Sequence, residues 1–262
     1  MKILFIGDIV GRTGREQVEH FLASIKQKYQ IDLVIANAEN AAHGKGITEK
    51  IYDELIFTGV QVITMGNHTY SKKNIFDFID TADRLVVPYN KYKSLPGIGS
   101  RVIELKGKKI RVTNLLGEAF MNSSNGSPFE AMDEILKNSM EDEIHIVDFH
   151  AEVTSEKVAL GYYLDGKVSA VLGTHTHIQT ADEKILQNGT AYISDVGMSG
   201  AYYSVIGNQV EEIIKRMTTG LYGKFAVAEG DGQLSAVVIT INDSDNKAEK
   251  IERILINQDH PF

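Results

Sequence analysis

Short apolar runs that stop on a glycine or a polar residue recur along this chain, separated by stretches of helical period, and this pattern constrains the fold more than any other feature. Lys2–Gly7 is the first run, and Asp32–Ala36, Gln61–Met65, Glu143–Phe149, Val168–Gly173 and Thr190–Ser194 follow. After the first run, Thr13 and Glu16 have capping-box spacing, and Val18, Phe21, Leu22 and Ile25 fall on one helical face. Thr48 opens a second helix that turns Ile51, Leu55 and Ile56 inward and stops at Gly59. Lys72–Ile79 reads as a short third helix. Strand-sized runs alternating with amphipathic helices are the pattern of βαβ units around a sheet.

The pattern changes after Pro88. Ile98–Leu105 and Lys109–Leu116 flank Lys106-Gly107-Lys108 as a hairpin would, and Ser127-Pro128-Phe129-Glu130 is a capping box with proline at the first helical position. Ser155–Leu164 and Asn208–Met217 read as helices, and Gln233–Asn242 with Lys250–Asn257 as an antiparallel pair. Parallel units early and hairpins late suit a layered α/β/β/α sandwich. Four prolines in 262 residues, with no repeat and no Pro/Gly-rich linker, lead us to expect a single domain over 1–262.

Composition narrows the function classes. The net charge is −8, the wrong sign for a protein that grips nucleic acid by neutralising phosphates, so no stable nucleic-acid binding is expected. There is no cysteine, which excludes disulfides, a thiolate nucleophile and iron–sulfur clusters. The apolar run before Asp8 is too short for a signal peptide or a membrane span, and the expectation is a soluble, cytoplasmic protein with no membrane partner.

In open α/β sheets, ligands bind beyond the carboxyl ends of strands. Here those ends carry Gly7-Asp8, Ala38-Glu39-Asn40, Gly66-Asn67-His68, Asp148-Phe149-His150 and Gly173-Thr174-His175-Thr176-His177. Carboxylate, amide and imidazole are ligands for cations such as manganese, iron or zinc. Four of the eight histidines belong to this set. His175 and His177 are two apart, so an extended backbone would point both to one side. Taken singly, each residue has a plainer role: Asp8 caps a turn, Asn40 suits a left-handed turn, and His150 is a satisfied polar side chain. Taken as an ordered series at strand ends, they point to a metal site. His43 and Lys45 lie in the loop after Asn40, either solvated or facing a phosphate, and Tyr202-Tyr203 either packs or stacks a nucleobase.

In this order, the motifs resemble those of the calcineurin-like metallophosphoesterases, from Asp8 to His177, and the set GDIVGR, ANAEN and MGNHTY resembles the bacterial YmdB-like branch. The resemblance implies the four-layer α/β/β/α sandwich of the metallophosphoesterase type. It implies two divalent or trivalent transition-metal ions, iron or manganese first, with zinc or cobalt as alternatives. Carried over residue by residue, Asp8, Glu39, Asn40 and His177 would hold one ion. Glu39, Asn67, His150 and His175 would hold the other, with Glu39 bridging. His68 would be the general acid. The branch is associated with phosphodiesterase activity on cyclic nucleotides, the 2′,3′ kind included. The implied chemistry is attack on phosphorus by a hydroxide held between the ions. The sequence departs from the wider family at three places: Ile9-Val10 stands where a metal-binding histidine usually follows the first Asp, Glu39-Asn40 where Gly-Asp is usual, and Thr69 where Asp follows Asn-His. Asn40 would replace the absent histidine.

Three other readings stay open at this stage. Gly7-Asp8-Ile9-Val10-Gly11-Arg12-Thr13-Gly14 follows a strand and opens a helix as phosphate-cradling loops do, although its spacing fits neither common glycine fingerprint. A regulatory scaffold that keeps the metal site for stability is the second. A phosphomonoesterase is the third, because the ligand types alone do not separate mono- from diesters. Whether copies associate as a homo-oligomer is also open.

Overall fold

Ile3 and Phe5 face one side of the first strand, Leu4 and Ile6 the other, and all four are fully buried. A strand apolar on both faces must be covered on both, and the layers of this fold follow from that. A computed structural model describes residues 1–121, 126–140, 142–221, 223 and 225–262. The chain begins with β1 (Lys2–Ile6), a two-residue β2 (Asp8–Ile9) and α1 (Gly11–Tyr29), then β3 (Leu33–Asn37), α2 (Glu49–Thr58), β4 (Val62–Thr64), α3 (Ile75–Phe78) and β5 (Leu85–Val86). It continues through β6 (Ser100–Leu105), β7 (Lys108–Leu116), α4 (Pro128–Lys137), β8 (Glu143–His150), α5 (Thr154–Tyr163), β9 (Ala170–Thr174), β10 (Lys184–Ile185) and β11 (Ala191–Ile193). It returns with β12 (Met198–Ala201), α6 (Val210–Thr219), β13 (Gly232–Ile241) and β14 (Ala248–Ile256).

Two sheets result. The first runs β2-β12-β13-β1-β3-β4-β5, with β14 also pairing β13, and the second runs β10-β11-β9-β8-β7-β6. The neighbours β1, β3, β4 and β5 are parallel, as are β7, β8, β9 and β11. Register aligns the inward side chains in rows. Phe5 lies opposite Ile35, which lies opposite Val62; in the other sheet Val112, Ile146, Ala170 and Ala191 form a row. All seven are fully buried in one apolar cluster between the sheets. The alternate residues face outward under helices. Leu4, Val34 and Ile63 meet Val18, Leu22 and Ile25 of α1 and Ile51 and Leu55 of α2. Val147, Phe149 and Val171 meet Met132 and Ile135 of α4 and Leu160 of α5. The order helix, sheet, sheet, helix is the four-layer sandwich expected from the sequence. Burying each such Leu, Ile or Phe side chain stabilises by roughly 1.5–3 kcal/mol.

Local signals hold where they were strongest. The Lys106-Gly107 turn has φ of 50° and 75° at its two residues, the mirror-image turn that suits the twist of a two-residue hairpin. Thr48 Oγ1 accepts from Ile51 N, Ser127 Oγ accepts from Glu130 N, and Pro128 opens α4. Other expectations needed correction. The helix near Thr13 starts at Gly11, its cap residue Val10 supplies no side-chain bond, and Glu16 accepts from Arg12 instead of closing a box. Only Ile75–Phe78 of the Lys72–Ile79 stretch is helical. The glycine-rich stretch after Val196 contains β12, which pairs with both β2 and β13. Among the described residues, no helix is long and apolar enough to cross a membrane.

Candidate metal centre

The seven residues expected to hold cations, and His68, meet at the carboxyl edges of the parallel strands. Asp8 follows β1, Glu39 and Asn40 follow β3, and Asn67 and His68 follow β4. His150 is the last residue of β8, and His175 and His177 follow β9. Of the seven expected ligands, the first sheet therefore brings the carboxylates and amides and the second the imidazoles, while His68 comes from the first sheet.

His150 is fully buried at the centre. Its Nε2 lies 2.9 Å from Asn67 Oδ1, 3.0 Å from Glu39 Oε1 and 3.0 Å from His175 Nδ1. One ring nitrogen carries at most one proton, so a single N–H cannot serve three such neighbours. Glu39, His150 and His175 each offer one ligand atom, and these atoms lie within 4.8 Å of one another. Asp8 Oδ1 lies 3.7 Å from His150 Nδ1 and 4.0 Å from His177 Nε2. Both Asp8 Oδ1 and Asn40 Oδ1 are buried without a hydrogen-bond partner. An orphaned buried carboxylate oxygen is costly unless a cation or donor meets it.

Each histidine is held from its far side. His150 Nδ1–H donates to Thr174 Oγ1, whose hydroxyl donates in turn to buried Asp148, and Asp148 also accepts from Asn37 Nδ2. His175 Nε2 lies 3.1 Å from Glu152 Oε2. His177 Nδ1–H donates to the Ile206 carbonyl. In all three rings, one nitrogen is committed to an oxygen acceptor, leaving the other for the centre; this arrangement orients metal-ligating imidazoles and sets their tautomer. The donor set thus fits a divalent metal cation.

The backbone conforms to this purpose. His175 and His177 have φ of 103° and 67°. Non-glycine residues in that region mark strain, which concentrates at functional sites. This corrects the expectation that an extended backbone aligns the two rings: a left-handed loop sends His175 toward His150 and His177 toward Asp8. Gly66 is needed for its lack of a side chain, because a Cβ there would lie 2.3 Å from Glu39 Oε2 and 2.6 Å from His150 Nε2.

The buried groups of the centre polarise one another. Burial disfavours charge on His150, but Glu39, Asp8 and Asp148 outweigh it and push its pKa up to about 9. Burial would likewise raise Glu39; the His150 charge and hydrogen bonds from His150 and His68 hold it down to about 2. Burial raises Asp8, with Asp195 and Glu39 adding to it against the pull of His150 and His177. Burial and the neighbouring His150 drive His175 down to about 3.

A cleft of about 910 Å³ opens onto the centre. His68 lines it, with its backbone N–H on Glu39 Oε2 and its Nδ1 3.4 Å from Ser71 Oγ. Burial lowers the His68 pKa, and Glu39 opposes that. His43 and Lys45 also line the cleft, so their loop faces the site. Tyr202 and Tyr203 do not: their hydroxyls pair with Asp259 and Gln258 near the C-terminus.

Sequence reasoning passed over several supporting residues. Asp148 shares a strand face with His150, a period-two relation that was legible. Asp195 follows β11, so the rule about polar residues at strand ends applied to it too. It pairs with Lys157 and accepts from Thr176 N, between the two histidines. Glu152 carried no signal of its own.

The sequence matches the family model described as YmdB-like protein over residues 4–254. It is 53% identical over 263 residues to a Bacillus subtilis (strain 168) protein named 2′,3′-cyclic-nucleotide 2′-phosphodiesterase, covering 100% of this chain and 99% of that one. A crystal structure described as a novel phosphatase from Mycoplasma pneumoniae superposes with a TM-score of 0.93 at 42% identity, covering 98% of this chain and 93% of that one. A hypothetical protein from Thermus thermophilus superposes with a TM-score of 0.92 at 37% identity, covering 98% of this chain and 99% of that one. Matched nearly end to end by the family model and by these relatives, the chain belongs to the YmdB-like protein family.

Proposed function

We propose that this protein is a phosphoric diester hydrolase that uses two transition-metal ions to open 2′,3′-cyclic nucleotides. The observation that carries this reading is the convergence of Glu39 Oε1, Asn67 Oδ1 and His175 Nδ1 on His150 Nε2, beside the orphaned Asp8 Oδ1. The family and the name of the Bacillus subtilis relative supply the reaction class and substrate. Asp8, Glu39, Asn40 and His177 would hold one ion, and Glu39, Asn67, His150 and His175 would hold the other. Such ions, when bound, lower the pKa of water and neutralise charge on phosphoryl oxygens.

The chain's own residues do the rest. Asp148 through Thr174, Glu152, and the Ile206 carbonyl keep the three imidazoles turned inward. Lys45 faces the anionic diester from the cleft wall. His68 protonates the leaving ribose oxygen; the substrate's negative charge beside it favours its protonated form and opposes the effect of burial. A positioned acid of this kind is worth about 10²–10⁴ in rate. We take residues 1–262 as one catalytic domain, since the centre draws its residues from both sheets.

The test is metal analysis of the purified protein alongside hydrolysis of 2′,3′-cyclic AMP and adenosine 3′-phosphate. Chelation should abolish diester hydrolysis, and added Mn²⁺ or Fe²⁺ should restore it. His68→Ala should retain both metals while losing about 10²–10⁴ in turnover. Protein carrying two equivalents of metal that turns over no diester would refute the proposal.

A further inference from the structure

The lining of the cleft is mixed in chemistry: His43, Lys45, His68 and Lys72 make up a polar, basic part, and Ile206, Phe225 and Val227 an apolar one, with Val227 against Gly44 of the His43–Lys45 loop. An apolar wall contributes nothing to holding a phosphate. A volume of about 910 Å³ is near the upper end for small-molecule sites and far exceeds a phosphoryl group.

This wall is built rather than loosely draped. The backbones of Asn208 and Val227 bridge, Gln209 N–H donates to the Ala226 carbonyl, and Ala228 N–H to that of Gly207. The Val227 methyls press on the bare Cα atoms of Gly11 and Gly44, where a Cβ would come within 2.7 Å of them. The Ile206 carbonyl holds His177 Nδ1, which sets the wall's distance from the metal centre. Phe225, which immediately precedes the pinned residues 226–228, remains 43% exposed, and the Arg216 guanidinium lies 4.5 Å from its ring centroid. A half-exposed aromatic ring next to a pinned stretch and beside a phosphate-binding centre suits a flat apolar group joined to that phosphate through a sugar.

We infer that Phe225, Ile206 and Val227 form the nucleobase subsite, with the base stacking on Phe225. The inference rests on the diesterase reading and specifies the part of the substrate that the metal centre does not touch. Stacking recognises a π face, so all four bases are accepted, and purines are favoured over pyrimidines by area.

The experiment compares 2′,3′-cyclic AMP with ribose 2,3-cyclic phosphate, which lacks the base. For Phe225→Ala, the ratio of kcat/KM for the two substrates should fall about 5- to 150-fold, the span of one base–aromatic stack, with the change carried by KM. Phe225→Tyr should restore the ratio. An unchanged ratio in Phe225→Ala overturns the subsite. A second measurement stands apart from catalysis: calorimetric binding of adenosine 3′-phosphate and of ribose 3-phosphate to metal-loaded protein. The native protein should prefer the adenosine compound, and Phe225→Ala should lose that preference by the same factor. If neither diester is hydrolysed, the diesterase reading fails. The subsite then stands or falls on binding alone: a base preference that Phe225→Ala removes supports it, and no preference refutes it.

Discussion

Removing the Lys157 ammonium should destabilise the protein and loosen its metal centre at once. Lys157 Nζ lies 2.8 Å from Asp195 Oδ2, with the two side chains 2% and 1% exposed. The same carboxylate accepts from Thr176 N at 2.9 Å and from Gly197 N at 2.8 Å. In Lys157→Met the apolar stem is replaced but Asp195 stays buried without its counter-ion. Breaking a buried pair from one side costs about 3–5 kcal/mol. For a chain of this size each kcal/mol lowers Tm by about 2–4 °C, so a fall of about 6–20 °C is expected. Asp195→Asn alone should cost a comparable amount, because it strands the lysine. The double variant Lys157→Met/Asp195→Asn should lose less than the sum of the single losses, since it leaves no uncompensated buried charge; Thr176 N and Gly197 N meet different oxygens, so the single amide oxygen keeps one of these bonds and the other is lost. Urea midpoints of the four proteins give the coupling directly. Single variants within about 1 kcal/mol of the parent, or strictly additive losses, would refute the reasoning. Metal affinity should follow the same order, because Thr176 N lies between His175 and His177.

Two further outcomes follow from the geometry. Gly66→Ala would place a methyl 2.3 Å from Glu39 Oε2 and 2.6 Å from His150 Nε2, so the purified variant should retain its fold but carry far less metal than the parent, read by elemental analysis; a full metal complement would contradict this. Buried His145, whose Nε2 lies 2.8 Å from Thr113 Oγ1, has its pKa driven down to about 3 by burial and by Arg111. The unfolded chain takes up a proton there below about pH 6.5 while the folded one does not, so this stability is present above about 6.5 and is lost as pH falls toward about 3. Between about pH 6.5 and 5 the loss is about 2 kcal/mol, and His145→Gln should flatten that limb of the urea-midpoint curve; parallel acid limbs would argue against it.

Much of the site was legible because period and position report burial and sheet edge. A run such as Lys2–Gly7 that is apolar on both faces must be an inner strand, and the polar residues that end it must lie at the sheet's rim. Asp8, Glu39, Asn67, His150 and His175 are visible on that rule alone. Helix ends were legible where a hydroxyl has a local partner, as at Thr48 and Ser127, and not at Gly11, where contacts with distant residues decide. There the Val10–Asn40 bridge and the close approach of Ser199 to Gly14 start the helix two residues before Thr13.

What the linear order determined by itself is therefore which residues are chemical and which strand delivers each, because hydrophobic alternation and strand termination are local properties. Which nitrogen of each imidazole faces inward, and that the segment between α6 and β13 brings Phe225 to the cleft, were decided only by the packing of the two sheets. Glu152, Thr174, Asp195 and the Ile206 carbonyl act on partners that folding brings within about 3 Å, and no spacing along the chain encodes such distances.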